Sequence, residues 1–65
     1  MTDYRDLLID IENMTASVGT QIGWETVKFV FREYGGGASS VETLHPKYYE
    51  SVWNALFDYE IGMKD

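Results

Sequence analysis

Glycine punctuates this 65-residue chain in a way that limits what it can build. Gly19 and Gly23 stand in the first half, the run Gly35-Gly36-Gly37 lies just past the middle, and Gly62 is close to the end. Glycine loses more backbone freedom on folding than any other residue, and it punctuates helices and strands. The positions therefore divide the sequence into three blocks and a short bridge, each long enough for a single element. One domain spanning residues 1–65 is the most such a chain can form.

The first block, Thr2 to about Val18, reads as an amphipathic helix. Tyr4, Leu7, Leu8, Ile11, Met14 and Val18 recur at helical spacing. Thr2 or Asp3 can cap its start, and the early aspartates suit the positive end of the helix dipole. In the second block, Ile22 to Tyr34, residues Trp24, Val27, Val30, Phe31 and Tyr34 form a helical stripe, with Gly35 placed to end it in the left-handed conformation. The same block also alternates Val27, Phe29 and Phe31, a strand pattern that would pair with Val41–Leu44 across GGGASS. The helix is preferred because the stripe runs through the whole segment.

The bridge holds Ser39-Ser40-Val41-Glu42, which predicts a capping box from Ser39 to Glu42 and one helical turn through Leu44. His45-Pro46 then opens the third block, since proline suits the first helical position, and Leu44 can staple onto Tyr49. Tyr48, Tyr49, Val52, Trp53, Leu56 and Tyr59 form its apolar stripe, and the helix should end near Ile61, before Gly62. The expected architecture is all-α: three helices with an extra turn before the last. The alternative is an α+β helix–hairpin–helix.

A domain this short buries only about 60% of the surface its unfolded chain exposes, so its core is marginal. No cysteine is present to staple it, which excludes a disulfide scaffold and a cysteine-ligated zinc module. Two tryptophans, five tyrosines and three phenylalanines supply the missing bulk. No apolar run approaches the ~18 residues of a membrane span, and MTDYRD lacks the basic and apolar regions of a signal peptide. The expectation is an intracellular, cytoplasmic protein with no membrane partner.

The residues offer little for catalysis. His45 is the only histidine, and its place before a proline at a helix start reads as a cap or turn. GGGASS lacks the Lys-Ser/Thr of a phosphate loop and does not match GxGxxG. The polar rows, Asp3, Asp6 and Asp10 on the first helix and Glu50, Asn54 and Asp58 on the third, are spaced along helix sides rather than converging as a calcium cage requires. Neither a catalytic residue, a metal site nor a cofactor is implied. Eleven acidic residues against five basic ones give a net charge of −6, which repels nucleic-acid phosphate and argues against direct nucleic-acid binding.

Partner contacts are the better reading. Helical geometry sets Ile9 away from Leu7, Leu8 and Ile11, places Phe29 opposite the Trp24–Phe31 stripe, and puts Phe57 and Ile61 on the far side of Trp53. Ile9, Phe29, Phe57 and Ile61 are candidate apolar contacts, since exposed apolar patches rimmed by polar groups mark interfaces. Asp3, Asp6 and Asp10 would steer a basic partner toward them.

The stretch GWETVKFVFREYG followed by SSVETLHPKYYESVWNAL resembles small proteins encoded by bacteriophages and related mobile elements. The shared pattern is Tyr34-Gly35 at a helix end, Ser40-Val41 with Leu44 in a turn, and Pro46 with Tyr49 leading an apolar helix. Gly36 and Gly37 lengthen the turn beyond that pattern. The resemblance covers about half the chain, implies a small helical accessory or host-directed protein, and carries over no site residues. The sequence therefore predicts a non-enzymatic protein-binding module acting as an inhibitor or accessory subunit of a larger protein. The alternatives are a homo-oligomer that buries the same hydrophobes between copies, and an acidic DNA mimic.

Overall fold

A computed structural model describes the backbone of residues 4–64 and the side chains of residues 5–62. Three α-helices follow one another, α1 (Tyr4–Gln21), α2 (Trp24–Tyr34) and α3 (Tyr49–Lys64), with two 3₁₀ turns, Val41–Thr43 and Pro46–Tyr48, between α2 and α3. The fold is all-α, and no strand occurs among the described residues. The second block is a helix because its apolar residues serve one side only: Val27, Val30 and Phe31 are buried, whereas Phe29 faces solvent. A strand would have put Val27, Phe29 and Phe31 on one face together.

The core takes one stripe from each helix. Ile11, Met14 and Val18 of α1 meet Val27, Val30 and Phe31 of α2 and Tyr49, Val52 and Leu56 of α3, with Leu44 from the connection completing the cluster. The most extensive contact is between α1 and α3. The Cα envelope measures 29 × 25 × 15 Å. With helix axes 8–10 Å apart, a body this thin is little more than one helix layer on another, so every helix keeps a broad solvent face.

Two helix ends and the conformation of one cap differ from the sequence reading, each for a local reason. Helix α1 continues past Val18 through Gly19 to Gln21, because Gly19 is buried against the indole of Trp24 and needs no side chain of its own. Helix α3 runs through Gly62 to Lys64. A lone glycine costs a helix only about 1 kcal/mol, which does not end it. Gly35 closes α2 at φ −108°, outside the left-handed region, with its N–H donating to the Phe31 carbonyl at 2.9 Å. The left-handed turn comes one residue later, at Gly36 (φ 68°) and Gly37 (φ 85°).

The bridge caps itself one register along from the expected box. Ser40 precedes the first 3₁₀ turn, and it is Thr43, not Glu42, whose hydroxyl reaches back, accepting from the Ser40 N–H at 3.2 Å and donating to the Ser40 carbonyl at 3.1 Å. The shorter Thr side chain closes this short turn, while Glu42 stays exposed. Leu44 and Tyr49 are both buried in the core, as a staple requires. Trp24 departs most from expectation. Placed in the core stripe by spacing, it is 54% exposed, because it is the first residue of α2 and lies across Gly19 at the edge of the bundle. Tyr34, at the other end of the helix, is exposed for the same reason.

Candidate functional site

Helix α1 carries the geometry that matters. At about 100° per residue, Asp10 and Glu12 flank the buried Ile11 on opposite sides of the helix, and Ile9 projects from the back, about 160° from Ile11. Each carboxylate faces a different neighbour. Asp10 and Leu7 share a hollow of about 390 Å³ with Glu50, Trp53 and Asn54 of α3. Glu12 and Thr15 line a groove of about 440 Å³ whose other wall is Trp24, Val27, Lys28 and Phe31 of α2, closed at one end by Ser39–Glu42.

The first hollow draws together residues from both acidic rows that were separate in the sequence. Asp10 comes from the α1 row, and Glu50 and Asn54 from the α3 row, with Leu7 and Trp53 completing the lining. Trp53 is stacked on Phe57, ring centroids 4.8 Å apart and planes 14° from parallel, so the two share a face instead of lying on opposite sides of α3, because residues four apart differ by only about 40° around a helix. The result is a half-buried aromatic surface with carboxylates beside it. Ile61 lies one helical turn beyond Phe57 and extends that surface. Asp6 is exposed one turn before Asp10; Asp3 lies outside the described residues.

All four predicted apolar contacts are exposed: Ile9 by 50%, Phe29 by 40%, Phe57 by 40% and Ile61 by 44%. They are divided among the three helices. Phe57 and Ile61 adjoin the Trp53 hollow, Ile9 rides the outer ridge of α1, and Phe29 points outward from α2 on its own helix face. Trp53 is half-buried against the core, as its spacing predicts, and also lines the hollow; the feature that spacing did not show is the Trp24 groove. Its signal was Gly19, five residues before Trp24, a gap on α1 that only an aromatic plate fills.

Among the described residues, two side-chain polar atoms are buried without a hydrogen-bond partner, Thr15 Oγ1 and Trp53 Nε1. One belongs to a residue lining each groove.

The remaining polar features are structural. His45 is exposed, and its Nδ1 accepts from the Lys47 N–H at 3.2 Å, capping the turn that leads into α3. Lys47 places its ammonium 5.1 Å from the Tyr48 ring centroid, and the edge of that ring covers Gly36. Among the described residues, no three histidine, aspartate or glutamate groups gather closely enough to hold a metal ion, and no helix is long and apolar enough to cross a membrane. No known protein family matches the chain, and neither a characterised protein nor a solved structure shows significant similarity to it.

Proposed function

We propose that the protein is a non-enzymatic protein-binding module that acts on a larger partner, as an inhibitor or accessory subunit, through the α1–α3 face. The observation that carries this reading is the hollow that Asp10 and Glu50 line together with Trp53, itself stacked on exposed Phe57. Tryptophan and other aromatics dominate binding energy where they are packed and ringed by polar groups. A basic, apolar segment of the partner fits this chemistry: its apolar residues cover Trp53, Phe57 and Ile61, and its cations meet Asp10 and Glu50. The net charge of −6 draws such a partner in from a distance. Origin in a bacteriophage or mobile element belongs to the same proposal and rests on the Tyr34-Gly35, Ser40-Val41-Leu44 and Pro46-Tyr49 pattern.

Affinity capture from the native host tests this reading, with the wild-type chain, Phe57→Asp and Phe29→Asp as baits. The expected result is a partner retained by Phe29→Asp and lost with Phe57→Asp, while both variants keep the helical circular dichroism of the wild type. Equal recovery by all three baits would place the contact elsewhere and overturn the α1–α3 assignment.

A further inference from the structure

The α1–α3 hollow has a counterpart across the same helix. On each side of α1 a tryptophan shares a groove with two carboxylates, one of them from α1: Trp53 with Asp10 and Glu50, and Trp24 with Glu12 and Glu42. In the second groove the indole of Trp24 rests on Gly19 with more than half of its surface open, while buried Val27 and Phe31 form the floor. The α1 ridge between the grooves carries exposed Ile9.

We propose that α1 is straddled by its partner, which sets one cationic side chain in each groove and an apolar residue over Ile9. The proposal rests on the protein-binding reading above and extends it from one face to two. An indole in one groove with two carboxylates suits a guanidinium. The ring quadrupole attracts the cation, and the carboxylates accept its N–H donors. Anions are disfavoured, because two carboxylates stand in each groove and the chain as a whole is acidic. The opposing charge is Lys28, which is exposed and also lines the neighbouring hollow with Glu25 and Arg32. A helix with its side chains is about 10–12 Å across, which sets the distance the two cations must span. Arginines seven residues apart on one face of a helical partner lie about 10.5 Å apart and match it.

The probe is a synthetic alanine- and glutamine-based helical peptide with arginines seven positions apart and a leucine midway. The two indole N–H signals of the full chain, assigned with Trp24→Phe and Trp53→Phe, report on the two grooves by NMR. Both signals are expected to move with one binding midpoint. Replacing either arginine of the probe by glutamine should weaken binding at least about tenfold, since the two contacts act as linked sites. The exposed pair Glu12→Gln with Glu42→Gln should weaken it, and Lys28→Ala should strengthen it. Movement of the Trp53 signal alone, with no response to the glutamine pair, would overturn straddling and leave the α1–α3 reading standing. Movement of neither signal would overturn both.

Discussion

Glycine at three positions shows how differently one residue type can act. Gly36 has φ 68°, and a Cβ there would meet Tyr48 Cε2 at 2.5 Å. Gly37 has φ 85° with open space around it. A left-handed L-residue costs roughly 1–2 kcal/mol, so Gly37→Ala should lose about that much and Gly36→Ala more, because it also displaces an aromatic ring. Urea denaturation of the two variants measures the difference, and equal losses would show that the Tyr48 contact is unimportant. Gly19 is the opposite case. In a helix interior, glycine to alanine usually gains about 0.5–1 kcal/mol. Here the added methyl collides with the Trp24 ring, which has solvent to swing into. Gly19→Ala in a Trp53→Phe background should therefore move Trp24 emission to longer wavelength. An unchanged spectrum would mean that Gly19 does not seat the indole.

At the scale of elements, α3 contributes Val52 and Leu56 to the core with no exposed surface and presents Phe57 next to them. Leu56→Ala should cost about 2–5 kcal/mol, comparable to the whole stability a core of this size supplies, and should leave the chain largely unfolded at 37 °C. Phe57→Ala removes only part of a stacked, exposed ring and should cost less than about 1.5 kcal/mol. Thermal melts followed by circular dichroism separate the two. The start of α3 rests on a smaller device. His45→Ala removes the acceptor for the Lys47 N–H and should cost about 0.5–2 kcal/mol by loss of a cap, without altering the helical fold.

The molecule as a whole is thin and acidic. A 15 Å slab has no position where a helix is covered on all sides, which is why large hydrophobes remain at its surface on all three helices. Its net charge of −6 is spread over a small body and repels itself. Raising the ionic strength from about 10 to 150 mM shortens the Debye length from about 30 to 8 Å, so the melting temperature should rise with sodium chloride. A melting temperature that falls over this range would mean that attractive ion pairs outweigh the repulsion.

The three helices and most of their buried stripes were legible in the sequence. Periodicity reports directly which side of a helix an apolar residue takes, so Ile11, Val18, Val30 and Leu56 and the exposed Ile9, Phe29, Phe57 and Ile61 could be sorted without coordinates. Periodicity is blind to two things that packing decides. It does not show where a helix face runs out of neighbours, so Trp24 and Tyr34, at the two ends of α2, were assigned to the core but are exposed. It also does not show which residues on separate helices become neighbours. Asp10 and Glu50 are 40 positions apart, and only the close packing of α1 on α3 brings them to one hollow beside Trp53. The side a residue takes is a local property of the backbone, whereas a groove is a property of two backbones at once.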